Sequence, residues 1–237
     1  MTDKSSKLHN GLLSRLPARE MRALQALSEH VELPLAYRMY ETNEPIEHVY
    51  FVTNGVASLV KDLDDDGSTV EVATVGREGM IGIALLLGSD EAEHRAFMQI
   101  PGEGLRMKSS AFKRFLKDAP KLNDLLLRYT HALLNQIAQS AACNRIHTVD
   151  ERCARWLLMS HDRVTDDSFS LTQDFLAQML GVHRPTVSVA AGMLQRAGFI
   201  QYARGIITVI DRKGLESAAC GCYRSITKEY DRLLGKA

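Results

Sequence analysis

The residues best suited to recognition chemistry lie in one stretch, Leu171 to Ile200, which reads LTQDFLAQMLGVHRPTVSVAAGMLQRAGFI. Arg184 carries a planar guanidinium that can donate two hydrogen bonds to O6 and N7 of guanine, worth roughly 1–3 kcal/mol of discrimination against other bases. Thr186 and Ser188 offer hydroxyls suited to a phosphate or a single base contact, and His183 and Val189 stand beside them. The neighbouring apolar residues have the spacing needed to hold such a set in place. Leu176 and Leu180 lie four apart and share one helical face, and Ala177 is small enough to admit a second helix. Gly181 suits a left-handed turn, Val182 plugs the corner, and Pro185 is tolerated in the first turn of a helix. Val187, Ala190, Ala191 and Leu194 then make a buried stripe. The pattern predicts a helix-turn-helix whose second helix offers His183, Arg184, Thr186, Ser188 and Val189 to the major groove of double-stranded DNA. A plain helical hairpin with a solvated arginine is the alternative.

The residues that follow extend the pattern. Gly198-Phe199-Ile200 closes the second helix, Gln201-Tyr202 begins a strand, and Arg204-Gly205 makes a turn. Ile206 to Ile210 returns as a second strand,. A hairpin directly after a recognition helix is a wing, with Arg204 at its tip able to meet backbone phosphate or to remain a solvated turn residue.

Upstream, apolar residues from Leu12 to His30 recur at helical spacing, with Pro17 placed to start the main helix,. Val31 to Met107 has the texture of short strands between turn residues. His48 to Val52 and Val56 to Val60 are expected to form one hairpin around Asn54-Gly55, and Asp65-Asp66-Gly67 to turn the next. Many short strands at regular spacing indicate a β-sandwich or roll. From Ala119 to about Ile146 the helical period returns through Leu122, Leu126, Tyr129, Leu133 and Ile137, giving a helix of about 40 Å. A helix this long needs a long partner, for which a two-fold copy is the simplest source. The other reading is an amphipathic helix covering the roll. The expected division is residues 1–118 for the N-terminal helix and roll, 119–147 for the long helix, and 148–237 for the winged helix-turn-helix.

Net charge is zero over 237 residues. Split after Asp150, however, the first part carries 17 basic and 20 acidic side chains and the second 12 and 9, a modest pointer to a polyanion partner for the second. No apolar stretch approaches the roughly 20 residues of a membrane span, and Met1 to Asn10 lacks the apolar core of a secretory signal. A cytoplasmic location with no membrane partner is expected, with reduced thiols. Cys143, Cys153, Cys220 and Cys222 fit no disulfide framework. Four thiolates are the right number for a cluster, but helical placement of Cys143 and Cys153 suggests packing, and His147, His161 and His183 lack the mutual spacing of a ligand pair. The expectation is no metal and no cofactor. Trp156, beside Ala154 and Leu157, is assigned to packing, and the acidic run Asp62, Asp64, Asp65, Asp66 to a solvated turn. Gly76, Gly79 and Gly82 match no phosphate-binding loop, and no catalytic motif is present, so an enzyme is not expected.

Gln173 to Gln195 followed by Gly198 to Val209 resembles the winged helix-turn-helix of the Crp/Fnr transcription regulators. The order before it is similar too: a helix, a cyclic-nucleotide-binding-like β-roll whose first long hairpin matches Val49 to Val60, and a long dimerisation helix. The resemblance covers nearly the whole chain. It implies an α+β jelly-roll architecture and a homodimer on palindromic promoter DNA, joined through the 119–147 helix, with RNA polymerase a further candidate partner. Arg184 keeps the family's first base-reading arginine. Pro185 stands where the family has an acidic residue and Val189 where it has a later arginine, so its usual half-site is not implied. In relatives that bind cyclic AMP, a Gly-Glu pair and an Arg before a small residue hold the ribose and phosphate. Gly82, Arg95 and Ala96 resemble parts of that set, but Ile83 takes the glutamate position and leaves the ribose hydroxyl without its acceptor. The expected effector is therefore not cyclic AMP. A cyclic-nucleotide-responsive regulator remains one alternative, and a signalling subunit or enzyme that does not bind DNA is another.

Overall fold

The computed structural model describes residues 9–63 and 69–235. A short 3-10 turn (Leu13–Arg15) leads into helix α1 (Ala18–Leu27), with Pro17 as its N-cap. The helical pattern predicted through His30 stops three residues earlier. The Ser28 hydroxyl donates to the Leu24 carbonyl at 2.8 Å, and Ser28–Leu33 becomes strand β1, paired antiparallel with Gly102 to Met107. Cross-strand pairing outweighs a local helical period at this point.

Strands β2 (Arg38–Tyr40), β3 (His48–Asp62), β4 (Thr69–Val75) and β5 (Arg95–Lys108) complete a five-stranded antiparallel sheet of order β1-β5-β3-β4, with β2 also on β5. The hairpin expected at Asn54-Gly55 does not form. Strand β3 runs straight through this dipeptide, paired with β5 along its length, and the register shifts between Val52 and Val56. Gly55 has φ of 95°, and a Cβ there would lie 2.8 Å from the Ile100 carbonyl oxygen, so its glycine serves a bulge. The turn expected at Asp65-Asp66-Gly67 lies outside the described residues, as do Asp64 to Asp66 of the acidic run. The strands flanking it do pair, Asp62 with Thr69.

Helix α2 (Ser109–Lys117) leads to α3 (Pro120–Ile146), a helix of 27 residues with proline in its first turn. Helix α4 (Val149–His161) follows after a hinge of two residues, His147 and Thr148, with a capping box between Thr148 and Glu151,. Strand β6 (Ser168–Ser170), helices α5 (Gln173–Leu180) and α6 (Arg184–Arg196), and strands β7 (Ile200–Ala203) and β8 (Ile206–Val209) form the winged helix-turn-helix. Its sheet has the order β6-β8-β7. Helices α7 (Arg212–Ala218) and α8 (Cys222–Leu234) close the chain, and α8 packs along α3. The fold is α+β: a cyclic-nucleotide-binding-like β-roll, a long helix and a winged helix-turn-helix.

Alternation along β3 joins the halves. Ala57 and Leu59 point into the core of the roll, whereas Val56 and Val60, on the opposite face, join the core of the winged helix-turn-helix half,. Phe97 meets Phe175 edge to face at 5.9 Å. The Trp156 indole nitrogen donates to Glu71 at 2.8 Å, and Arg163 pairs with Glu78 at 2.8 Å. Trp156 is thus buried as expected and also bridges the two halves.

Candidate nucleic-acid interface

Helix α5 is capped by Thr172, whose hydroxyl accepts from the Phe175 amide at 3.2 Å,. Leu176, Ala177, Met179 and Leu180 are buried on one face. Gly181 then takes the left-handed conformation, φ 62° and ψ 43°, and the Val182 amide reaches back to the Ala177 carbonyl at 3.0 Å,. The chain turns sharply and α6 begins, with Pro185 in its first turn. Val187, Ala190, Ala191 and Leu194 are the buried residues of α6, so the stripe predicted from spacing is the stripe that packs.

The opposite face of α6 is open. His183, the N-cap, is exposed, as are Arg184 and Thr186, and Val189 is 61% exposed. The Arg184 side chain is 62% exposed and pairs with Asp174 at 3.4 Å, a solvated contact that a stronger acceptor can displace at little cost. Ser188 is more constrained than its residue type suggested. Its hydroxyl lies 2.6 Å from Gln173 Oε1 and 3.1 Å from the Arg184 carbonyl, which holds the start of α6 against the start of α5. Gln173 is a residue that spacing alone did not bring out.

Beyond α6, β7 and β8 are joined by Arg204 and Gly205, both at positive φ, 54° and 74°. This is the two-residue turn geometry that matches the twist of a hairpin. Arg204 is exposed at its tip. A cleft of about 670 Å³ opens between α6 and this turn, lined by Gln173, Asp174, Arg184, Ser188, Tyr202 and Arg204 among others. Arg184 and Arg204 stand on its two walls, and Tyr202 anchors the wing by donating to the Leu171 carbonyl at 2.8 Å. Such an arrangement can take an anionic strand between two cations while α6 projects beyond it. Strand β6, which was not anticipated, pairs with β8 and stiffens the wing.

Residues 151–218 match the family model of the Crp-like helix-turn-helix domain. The chain is also 22% identical over 219 residues to the CRP-like cAMP-activated global transcriptional regulator of Mycobacterium tuberculosis, covering 88% of this chain and 96% of that protein. The chain thus carries a Crp-like helix-turn-helix domain and is similar to Crp-like transcription regulators over most of its length. Among solved structures, FixK2 from Bradyrhizobium japonicum shares the fold with a TM-score of 0.68 at 21% identity, over 82% of this chain and 98% of that one. A CRP-family transcriptional regulator from Thermus thermophilus gives 0.64 at 19% identity, over 80% and 96%.

In this chain the three residues resembling a nucleotide site do not converge. Gly82 is left-handed, φ 97°, ahead of a 3-10 turn (Ile83–Leu85). Ala96 is buried in the core of the roll. Arg95, its neighbour on β5, points to the opposite face, where it pairs with Asp62 at 3.3 Å and lies over the Phe97 ring. A cyclic nucleotide inside the roll would meet neither the arginine nor a carboxylate at position 83. The residues therefore do not fit that ligand.

Cys143 and Cys153, both assigned to packing, are both buried, in different surroundings. Cys143, His147, Cys220 and Cys222 come together with one donor atom from each within 4.8 Å of the others, while Cys153 is buried in the DNA-binding core. The signal for the first pair was present: Cys143 and His147 lie four apart at the end of α3, on one face. His161 instead binds Asp167 and Arg212, and no helix among the described residues is long and apolar enough to cross a membrane.

Proposed function

We propose that the chain acts as a cytoplasmic homodimer on palindromic promoter DNA, each protomer laying α6 in a major groove and its wing on the adjacent backbone. The observation that carries this reading is the open face of α6, with Arg184 at its start and Arg204 across the cleft. Arg184 is assigned to a guanine edge, Val189 to a thymine methyl, and His183, Thr186 and Ser188 to further base or phosphate contacts. Arg204 is assigned to phosphate. Residues 1–118, 119–147 and 148–237 serve as roll, dimerisation helix and DNA-binding domain, with RNA polymerase a further partner at the promoter.

Support for the dimer comes from α3. Leu127 and Leu134 are 52% and 59% exposed, and His131 and Ala138 are exposed beside them. These four recur at intervals of four, three and four residues, the seam of a two-stranded coil. A two-fold copy would cover them and hold two recognition helices about 34 Å apart. The relative from Mycobacterium tuberculosis is cAMP-activated by its name. In this chain Ile83 and the outward Arg95 favour an effector other than cyclic AMP.

The test is a gel shift against genomic fragments with sequencing of what is retained, repeated with Arg184→Ala. The expected result is a palindromic site bound about 1–3 kcal/mol more weakly per protomer by the variant, with relaxed preference at one base of each half-site. Equal loss on random and selected DNA would refute base readout by Arg184.

A further inference from the structure

We infer that Cys143, His147, Cys220 and Cys222 form a tetrahedral site for a single zinc ion, which staples the end of the long helix to the α7–α8 loop and the first residue of α8. With Zn–S near 2.3 Å and Zn–N near 2.0–2.1 Å, tetrahedral angles put two sulfurs about 3.8 Å apart and a sulfur about 3.6 Å from a nitrogen. The observed separations are 3.5 Å for Cys143 Sγ to Cys220 Sγ and 3.6 Å for Cys222 Sγ to His147 Nδ1. All four donors lie within 4.8 Å of one another, a shell that fits one ion and is too tight for the ligands of a cluster of several irons. Three thiolates and one imidazole are a donor set of structural zinc.

The surroundings point the same way. Zinc with three thiolates and a neutral imidazole carries a net charge of −1, which a buried site must balance. Arg152 and Arg155 are buried, 7% and 5% exposed, and both lie within electrostatic reach of the thiols. Their side chains bond to Asn144, Ser140, Met159 and a backbone carbonyl. Both Nε atoms lack a partner among the described residues. Gln139 donates to Cys222 Sγ at 3.0 Å, the kind of outer contact that orients a metal ligand. A Cys143–Cys220 disulfide would use two of the four donors and leave the convergence of Cys222 and His147 without a role.

The site brackets the hinge. His147 is the C-cap of α3, and the next residue, Thr148, caps α4. Zinc would displace the three thiol protons to solvent and tie the DNA-binding half to α3 at a second point beside that hinge. Binding of zinc is independent of any DNA sequence the regulator reads.

The full chain, purified under reducing conditions without chelator, is analysed for metals by plasma mass spectrometry. The reduced apo-protein is titrated with Co²⁺ as a spectroscopic probe. The expected result is about one zinc per chain, a visible spectrum of tetrahedral thiolate-bound Co²⁺, and loss of both in Cys220→Ser and Cys222→Ser. Cys153→Ser keeps both, and Gln139→Ala weakens affinity about 10- to 100-fold. Gel filtration and circular dichroism check that the variants fold, and the Co²⁺ spectrum of the unmutated chain decides the matter if they do not. The inference is overturned by folded, reduced protein that takes up neither zinc nor Co²⁺. Zinc retained after loss of both Cys220 and Cys222, iron with inorganic sulfide in place of zinc, or a Cys143–Cys220 disulfide whose reduction restores no metal uptake would overturn it equally.

Discussion

Arg204 sits where the wing's geometry and its proposed role pull in opposite directions, and that conflict can be measured. Its φ of 54° places a β-carbon in the left-handed region, which costs an ordinary L-residue about 1–2 kcal/mol and asparagine less. The two-residue turn that joins β7 to β8 prefers Asn-Gly. Arg204→Asn should therefore stabilise the fold by about 1 kcal/mol and raise the midpoint of thermal unfolding by about 2–4 °C. If Arg204 neutralises one phosphate, the same change removes one released counterion per protomer. The slope of log affinity against log salt should then fall by about 0.9 for each protomer, or about 1.8 for a dimer. The variant would be more stable, bind more weakly, and keep its preference among sites. Arg204→Ala separates the two effects, since alanine retains the left-handed strain but lacks the charge: its stability should stay near that of the parent while its salt slope falls as far. Unfolding curves and fluorescence anisotropy at four or five salt concentrations provide both measurements. An unchanged salt slope in both variants would leave Arg204 as a solvated turn residue and remove the wing from the interface.

Three other outcomes follow from the geometry. Gly181→Ala meets no atom within 4 Å, so only its φ of 62° is penalised; unfolding should become easier by about 1 kcal/mol, and a neutral result in denaturant titration would remove the backbone requirement. Glu71 is pushed up to about 7 by burial, only partly offset by the Ser58 and Trp156 hydrogen bonds. The folded chain therefore holds a proton that the unfolded chain releases at lower pH, and stability should fall as pH rises from about 4.5 to 7. Trp156, the one tryptophan in the chain, should show a fluorescence titration near pH 7 that disappears in Glu71→Gln, and its persistence there would assign the transition elsewhere. Leu134→Glu places a charge at the centre of the exposed seam of α3 and should halve the mass seen by sedimentation equilibrium, whereas a dimer of unchanged strength would move the interface off this helix.

What could be read from the sequence divides along a physical line. Helix α5, the turn at Gly181 and helix α6 were legible because each is decided by residues within one or two helical turns: Leu176 with Leu180, the left-handed glycine, the stripe from Val187 to Leu194. Long-range pairing erased local signals elsewhere. Asn54-Gly55 has the composition of a hairpin turn, yet the close approach of the Ile100 carbonyl to Gly55 calls for the same glycine inside a continuous strand, and only the partner strand distinguishes the two uses. Ser28 to His30 continue a helical period but pair with Leu105 to Met107. Ser188 looked free until Gln173, 15 residues away, supplied its partner. The cysteines are the extreme case. Cys143 and Cys220 are 77 residues apart and meet only because α8 docks along α3, so no spacing rule confined to one segment could join them. Half of the set is local, Cys143 with His147, but no spacing between histidines marks it. A histidine four residues from a cysteine on a helix places two soft donors on one face, and the rest of the chain then decides whether two more arrive.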